Sequence, residues 1–360
     1  MDQKLLNKLN TRIEEGTLRS LSLFTDFSDF YSNDYLGFSH DTTVSSFNEK
    51  GATGSRLISG NCQEAMDAEL ELAKFYGAEA GVMFNSGYDA NIGFFSSVPQ
   101  RGDTVLYDEL IHASVRDGIR MSFAKSFGFK HNDLKDLEAR LRKAEGTVYV
   151  AIEGLYSMDG DLAYLNGVVE LCQSYGAYLI VDEAHSAGVF GADGKGLVSA
   201  LGCEANVFAR LVTFGKSYGS HGAIVLGSQK LKEYLVNFSR SFIYTTALPP
   251  HVYTLNASRV KHDLLKLKQD ELQKNLRYFR GAFSHSGLIS DVNSPIQVLQ
   301  IGKVEAVKEI AEKLQKEKIA VKPIYSPTVA VGQERLRFCF HAFNTEEEMD
   351  KLISTLNKVC

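Results

Sequence analysis

The chain has 360 residues, enough for one large and one small domain, with 44% hydrophobic and 23% charged residues, the ordinary mix of a globular enzyme. A net charge of -5 leaves no basic footprint for nucleic acid or an anionic membrane surface. Five cysteines without CxxC spacing indicate neither a disulfide framework nor a zinc site, and with no long apolar run and no secretory leader at MDQKLLNKLN a cytoplasmic location is expected.

Leu5, Leu6, Leu9 and Ile13 recur at helical spacing, which predicts one amphipathic helix stopped near Gly16. Two turn-rich stretches follow, YSNDYLGFSHD and GATGSRLISGN, whose glycines mark loops brought close to something. A helix from about Cys62 to Tyr76 is expected to turn Met66, Leu70 and Phe75 inward. The run AGVMFNSGYDANIGFFSSV then reads as a strand that enters a helix through Asn85, Ser86, Gly87 and Tyr88. Such a turn offers backbone N–H groups and the positive end of a helix dipole, which suits a phosphate.

DTVLYDELIHASVRDGI places His112 after another strand, at a helix start. A histidine there is ordinarily a cap or a core residue, but its flat ring is available to stack on a ligand docked beside it. Helices over 134–143 and 165–175 alternate with a strand over 148–153, and the polar turn Ser157 to Asp161 follows that strand. This alternation predicts a doubly wound α/β domain.

Three apolar runs, Tyr178 to Val181, Val207 to Val212 and Ala223 to Leu226, have the form of strands buried on both faces of a largely parallel sheet. Ligands bind at the carboxyl ends of such strands. Asp182 and His185 stand at the first of those ends, and Lys216 follows the second, after Thr213 and Gly215. A lysine held where water is scarce keeps its amine free for Schiff-base chemistry, and a buried carboxylate suits a cationic ring nitrogen. Alone, each reads as a solvated lysine or a helix cap; together they describe a pyridoxal phosphate site.

Pro249 and Pro250 interrupt the pattern after SFIYTTALPP. The expected division is an N-terminal helix and arm over 1–40, a large cofactor-binding domain over 41–250 and a small C-terminal domain over 251–360. The last opens with a long polar helix from about His251 to Arg280. Strand 296–301, helix 304–316, strands 319–323 and 335–340 and helix 345–358 follow, with Thr345 and Glu348 in capping-box spacing.

The segments HNDLKDLEARL, EGLYSMDGDLA, VDEAHSAGVFG, VTFGKSYGSHGA, FIYTTALPP and SPTVAVGQERLRF resemble the α-oxoamine synthases, fold-type I enzymes that use pyridoxal 5'-phosphate. The resemblance runs from about residue 30 to 358. It implies an α/β fold whose large domain holds a mainly parallel, seven-stranded-type sheet beside a smaller α+β domain, and a homodimer with active sites at the subunit boundary. By motif, Lys216 would be the Schiff-base lysine, Asp182 the partner of the ring nitrogen, and His185 the partner of the ring oxygen. His112 would stack on the ring and meet the substrate. Gly87, Tyr88, Ser157 and Thr213 would complete the cofactor cradle, with Thr245 or Thr246 reaching the phosphate of a neighbouring subunit. Arg337 would clamp the amino-acid carboxylate, and Arg19 and Thr328 match positions that meet the acyl substrate.

The implied reaction is an acyl transfer. HNDLKDL, TFGK and IYTTALPP favour the branch of the family that acts in biotin synthesis, condensing L-alanine with a pimeloyl thioester of coenzyme A or acyl carrier protein, with loss of carbon dioxide. Condensation of glycine with an acetyl group or of serine with a palmitoyl group is the alternative, and a non-catalytic module on the same fold is a remote one. His221, Glu64 and a short segment between Arg19 and Tyr31 depart from the family's pattern.

Overall fold

The computed structural model describes residues 3–18, 24, 26–41 and 51–359. Helix α1 (Gln3–Glu14) forms where the leucine spacing predicts it, and Leu5, Leu9 and Ile13 on its apolar stripe are exposed. The described residues fall into two compact units. The larger comprises Asp34–Ser157 and Leu162–Asp270; the smaller comprises Met1–Asn33, Met158–Asp161 and Glu271–Cys360. Residues 34–40 and 251–270 thus belong to the larger unit, unlike in the division at 40 and 250 drawn from the sequence.

Seven strands make the sheet of the larger unit: β1 (Ala80–Phe84), β2 (Thr104–Asp108), β3 (Lys125–Phe129), β4 (Val148–Glu153), β5 (Tyr178–Asp182), β6 (Ala209–Thr213) and β7 (Ala223–Gly227). Their order is β1-β7-β6-β5-β4-β2-β3. The pairings from β6 to β3 are parallel. Strand β7 runs antiparallel to both neighbours, the exception within the largely parallel sheet that the apolar runs predict. The link from Thr213 to Ala223 is too short for a parallel crossover, which takes about a dozen residues or more.

Successive strand residues serve opposite faces of the sheet. Ala151, Ile180 and Leu211 enter one core cluster with Val105 and Phe94. Their neighbours Val150, Ile152, Leu179 and Val181 enter a second cluster with Leu137 and Val168. Both faces are therefore dry, as the unbroken apolar runs require.

Helices α2 (Gln63–Tyr76), α3 (Gly87–Ser97), α4 (Ala113–Met121), α5 (Leu134–Leu141) and α6 (Leu165–Tyr175) match the predicted positions closely. The buried face of α2 does not. Ala65, Ala68, Leu72, Ala73 and Tyr76 are buried with Glu69, while Met66 and Leu70 are exposed. The acid is accepted inside because Arg56 and Lys232 pair with it.

The long helix expected over 251–280 is two helices, α7 (Pro250–Arg259) and α8 (Leu265–Ala282). His262 lies between them, and its Nδ1 accepts the Leu264 amide at 3.2 Å, a local side-chain bond that competes with a continuing helix. In the smaller unit β8 (Ile296–Gln300), β9 (Lys322–Ile324) and β10 (Arg335–Cys339) form an antiparallel sheet in the order β9-β10-β8. The single strand expected over 319–323 is divided, because Ile319 and Ala320 pair instead with Ser28 and Asp29. Helix α9 (Val304–Lys316) and helix α10 (Glu346–Val359) complete the unit. The capping box forms as the spacing demands, with Thr345 Oγ1 accepting the Glu348 amide at 3.2 Å and Glu348 Oε2 accepting the Thr345 amide at 3.0 Å. Among the described residues no helix is long and apolar enough to cross a membrane.

Candidate active site

At the carboxyl ends of β4, β5 and β6 the apolar alternation stops and polar residues take the next position on the same face. Glu153 follows Ala151, Asp182 follows Ile180, and Thr213 follows Leu211. Glu153 and Asp182 are register partners. These three residues border a cavity of about 170 Å³ together with Asn91, His112 and Lys216. Gly87, Tyr88, Ser114, Ala184 and His185 complete its wall.

Lys216 stands in the turn between β6 and β7, where Gly219 has φ 55°. A Cβ on Gly219 would lie 2.1 Å from the Ser39 amide nitrogen, so only glycine lets this turn seat. Lys216 Nζ meets His185 Nε2 at 2.7 Å, and His185 Nδ1 meets the Tyr35 hydroxyl at 2.7 Å. Tyr35 is wholly buried, so the imidazole is held at both nitrogens.

Asp182 is 7% exposed. Its Oδ1 accepts the Ala184 amide at 2.9 Å, and its Oδ2 accepts Asn91 Nδ2 at 2.8 Å. Asn91 Nδ2 also donates to Ser114 Oγ at 3.0 Å, and Ser114 Oγ lies 2.7 Å from His112 Nδ1. His112 caps α4, its Nδ1 accepting the Ser114 amide. Burial lowers the His112 pKa and the nearby Lys216 adds to this, with Asp182 opposing. The imidazole is therefore neutral at neutral pH, with Nδ1 as acceptor. Burial, with Asp182 adding to it, pushes the Glu153 carboxyl up to about 8.

The first-turn amides of α3 have no intrahelical acceptor, and Gly87 and Tyr88 bring them to the cavity wall, where Ser86 caps the helix by accepting the Asp89 amide. An amine, a buried anion, a flat neutral ring and a helix N-terminus thus face one small space. This set can hold a planar cation carrying an anionic group and move a proton beside it.

The sequence anticipated Lys216, Asp182, His185, His112, Gly87, Tyr88 and Thr213, and all seven border this cavity. Ser157 is buried in the larger unit but does not line it. Thr245, in the same unit, accepts Asn85 Nδ2 at 3.1 Å and lies outside the wall. Arg337 is in the smaller unit on β10, 8% exposed, and donates to Asn33 Oδ1 at 2.9 Å. Thr328, also in the smaller unit, borders a separate cavity of about 480 Å³ with Thr17, Phe24, Lys322 and Tyr325. Arg19 lies outside the described residues. His221 and Glu64 are exposed in the larger unit. Asn91, Ser114, Glu153 and Tyr35 were missed; a polar Asn91 inside the apolar run ANIGFF was the available signal.

A model of the aminotransferase class I and II family matches residues 25–356. The chain belongs to that family. It is 38% identical, over an aligned length of 390, to 8-amino-7-oxononanoate synthase of Emericella nidulans, across 98% of this chain and 94% of that protein. This likeness puts it among the α-oxoamine synthases. Of solved structures, serine palmitoyltransferase from S. paucimobilis with bound PLP and myriocin aligns at TM-score 0.90 and 26% identity, across 99% of this chain and 96% of that one. The 8-amino-7-oxononanoate synthase of Francisella tularensis aligns at TM-score 0.77 and 30% identity, across 92% and 97%. The mainly parallel seven-stranded sheet flanked by helices is the fold-type I architecture expected of an α-oxoamine synthase.

Proposed function

We propose that this enzyme is an acyltransferase that uses pyridoxal 5'-phosphate to condense L-alanine with a pimeloyl thioester, releasing carbon dioxide and forming 8-amino-7-oxononanoate for biotin synthesis. The observation that carries the reading is an amine, Lys216, in one cavity with the buried Asp182, in a chain 38% identical to a synthase of that name. The residues fit the cofactor. Asp182 retains lone pairs beyond those that meet Ala184 and Asn91, so it can receive a ring N–H, and the α3 amides suit a phosphate.

When bound, pyridoxal 5'-phosphate supplies an electron sink for charge that develops at the amino acid's α carbon. The anion of Asp182 keeps the proton of a ring nitrogen in place. Lys216 Nζ serves as the base that takes the α proton and the acid that returns one. His185, fixed by Tyr35, orients a neighbouring oxygen, and the neutral His112 offers an aromatic face without competing for the charge of Asp182. Ser157 would complete the cofactor cradle, Thr245 or Thr246 would reach the phosphate of a neighbouring subunit, and the planar fork of Arg337 would grip the substrate carboxylate. Thr328 would meet the acyl chain.

The reading extends to a cytoplasmic homodimer, in which the open apolar stripe of α1 would find cover. It divides the chain into an arm, a cofactor domain and a small domain near residues 40 and 250. A thioester of coenzyme A and one of acyl carrier protein are both within its scope. The higher TM-score to serine palmitoyltransferase favours a second reading, condensation of serine with a long acyl chain. Side-chain identity weighs more than backbone likeness here, because substrates are chosen by side chains. The deciding experiment sets alanine, glycine and serine against pimeloyl, acetyl and palmitoyl thioesters. Turnover of alanine with pimeloyl thioester should exceed the other pairs, and preference for serine with palmitoyl thioester would overturn the reading.

A further inference from the structure

Glu153 has no part in the chemistry above. It ends β4 with 3% exposure, borders the cavity, and has no hydrogen-bond partner at Oε1. Because Asp182 is its register partner, two carboxyl groups leave the sheet on the same face side by side. They are not equivalent. Asp182 receives a donor on each oxygen, whereas Glu153 lacks one on Oε1. Two acids sharing a dry site do not both ionise, and the charge stays with the one that has the donors. A second unsatisfied atom lines the same cavity: Asn91 Oδ1, an acceptor, is also buried without a partner.

We propose that Glu153 is a positioning residue that carries a proton in the working enzyme, so that its O–H and the Asn91 carbonyl line the cavity as an uncharged donor and acceptor and Asp182 is left as the single anion. The inference rests on the pyridoxal phosphate reading for its purpose: one anion opposes one ring cation. The groups that face Glu153 are Asp182 on β5, Lys216 in the β6–β7 turn, Asp108 at the end of β2 and the His112 amide at the start of α4, with Tyr156 just beyond β4. Burial leads in holding the proton, Asp182 and Asp108 assist, and Lys216 and the His112 amide oppose.

The sign follows. An acid whose pKa rises on folding, here from an ordinary 4.5 to about 8, binds its proton in the folded chain and releases it in the unfolded one between those values. Stability then falls as pH rises through that window. Glutamine in place of Glu153 keeps the uncharged shape and removes this slope.

The test is infrared titration of the holoenzyme. Wild type should show a protonated-carboxyl C=O band at neutral pH that vanishes through pH about 8, and Glu153→Gln should lack the band throughout. Wild type should also lose thermal stability relative to Glu153→Gln as pH rises. Absence of the band from wild type at neutral pH, or its survival in Glu153→Gln, overturns the proposal. If Glu153→Gln fails to fold, 13C labelling of glutamate carboxyls in wild type decides: a shifted band supports the assignment and an unshifted one overturns it. The cofactor's visible absorbance, recorded on the same samples, reports separately on the reading beneath.

Discussion

Asp182 and Glu183 are adjacent acids, both buried in the larger unit, and their surroundings could hardly differ more. Glu183 is saturated. Its carboxylate receives Arg210 Nε at 2.7 Å, the Val198 amide at 3.0 Å and Ser186 Oγ at 3.1 Å. Arg210 in turn donates to the carbonyls of Tyr76 at 2.9 Å and Lys195 at 2.5 Å. Even the backbone conforms: Gly196 has φ 90°, and a Cβ there would meet Glu183 Oε1 at 2.4 Å. Around Asp182 the polar groups are left partly unmatched, with Asn91 Oδ1 and Glu153 Oε1 both unsatisfied. A closed polar network holds a fold in register, and an open one is kept for a ligand.

Mutations should separate the two regions cleanly. Lys216→Ala has the largest expected effect: loss of turnover and of the cofactor's visible band, with the unfolding midpoint little changed. Retained turnover would remove Lys216 from the chemistry. Arg210→Ala strands the Glu183 charge and should lower stability by about 3–5 kcal/mol, seen in chemical denaturation, while turnover per folded molecule holds. A fall in turnover per folded molecule would mean that the core pair also serves the site. Asp182→Asn should keep bound cofactor but slow turnover by at least about 10²-fold; a near-normal rate would contradict its role as counter-ion. Asn91→Ala removes one donor from that anion and should weaken cofactor binding by roughly tenfold, measured by equilibrium titration. Unchanged affinity would show that the Ala184 amide alone suffices.

The regions also differ in how far a reader of the chain could foresee them. Lys216, Asp182 and His185 were legible as a set because they follow apolar runs with the form of buried strands, and strand ends gather in one place. Helices 165–175 and 304–316 were legible from periodicity alone. Asn91, Ser114 and Tyr35 were not, because their importance depends on partners far off in the chain, such as Asp182 for Asn91 and His185 for Tyr35. The Glu183 network was equally hidden, being drawn from residues 76, 183, 195, 199 and 210. Met66 and Leu70 misled by size: the side of α2 that is buried carries alanines, which allow close approach, and leaves the larger residues outside.

The active-site wall is assembled from chain segments as distant as Gly87 and Lys216, with Tyr35 bracing it from further upstream. During synthesis, the lysine leaves the ribosome after every other member of this group. The wall cannot close before that point, and the closure of so many long loops makes its formation slow compared with a helical bundle of equal size.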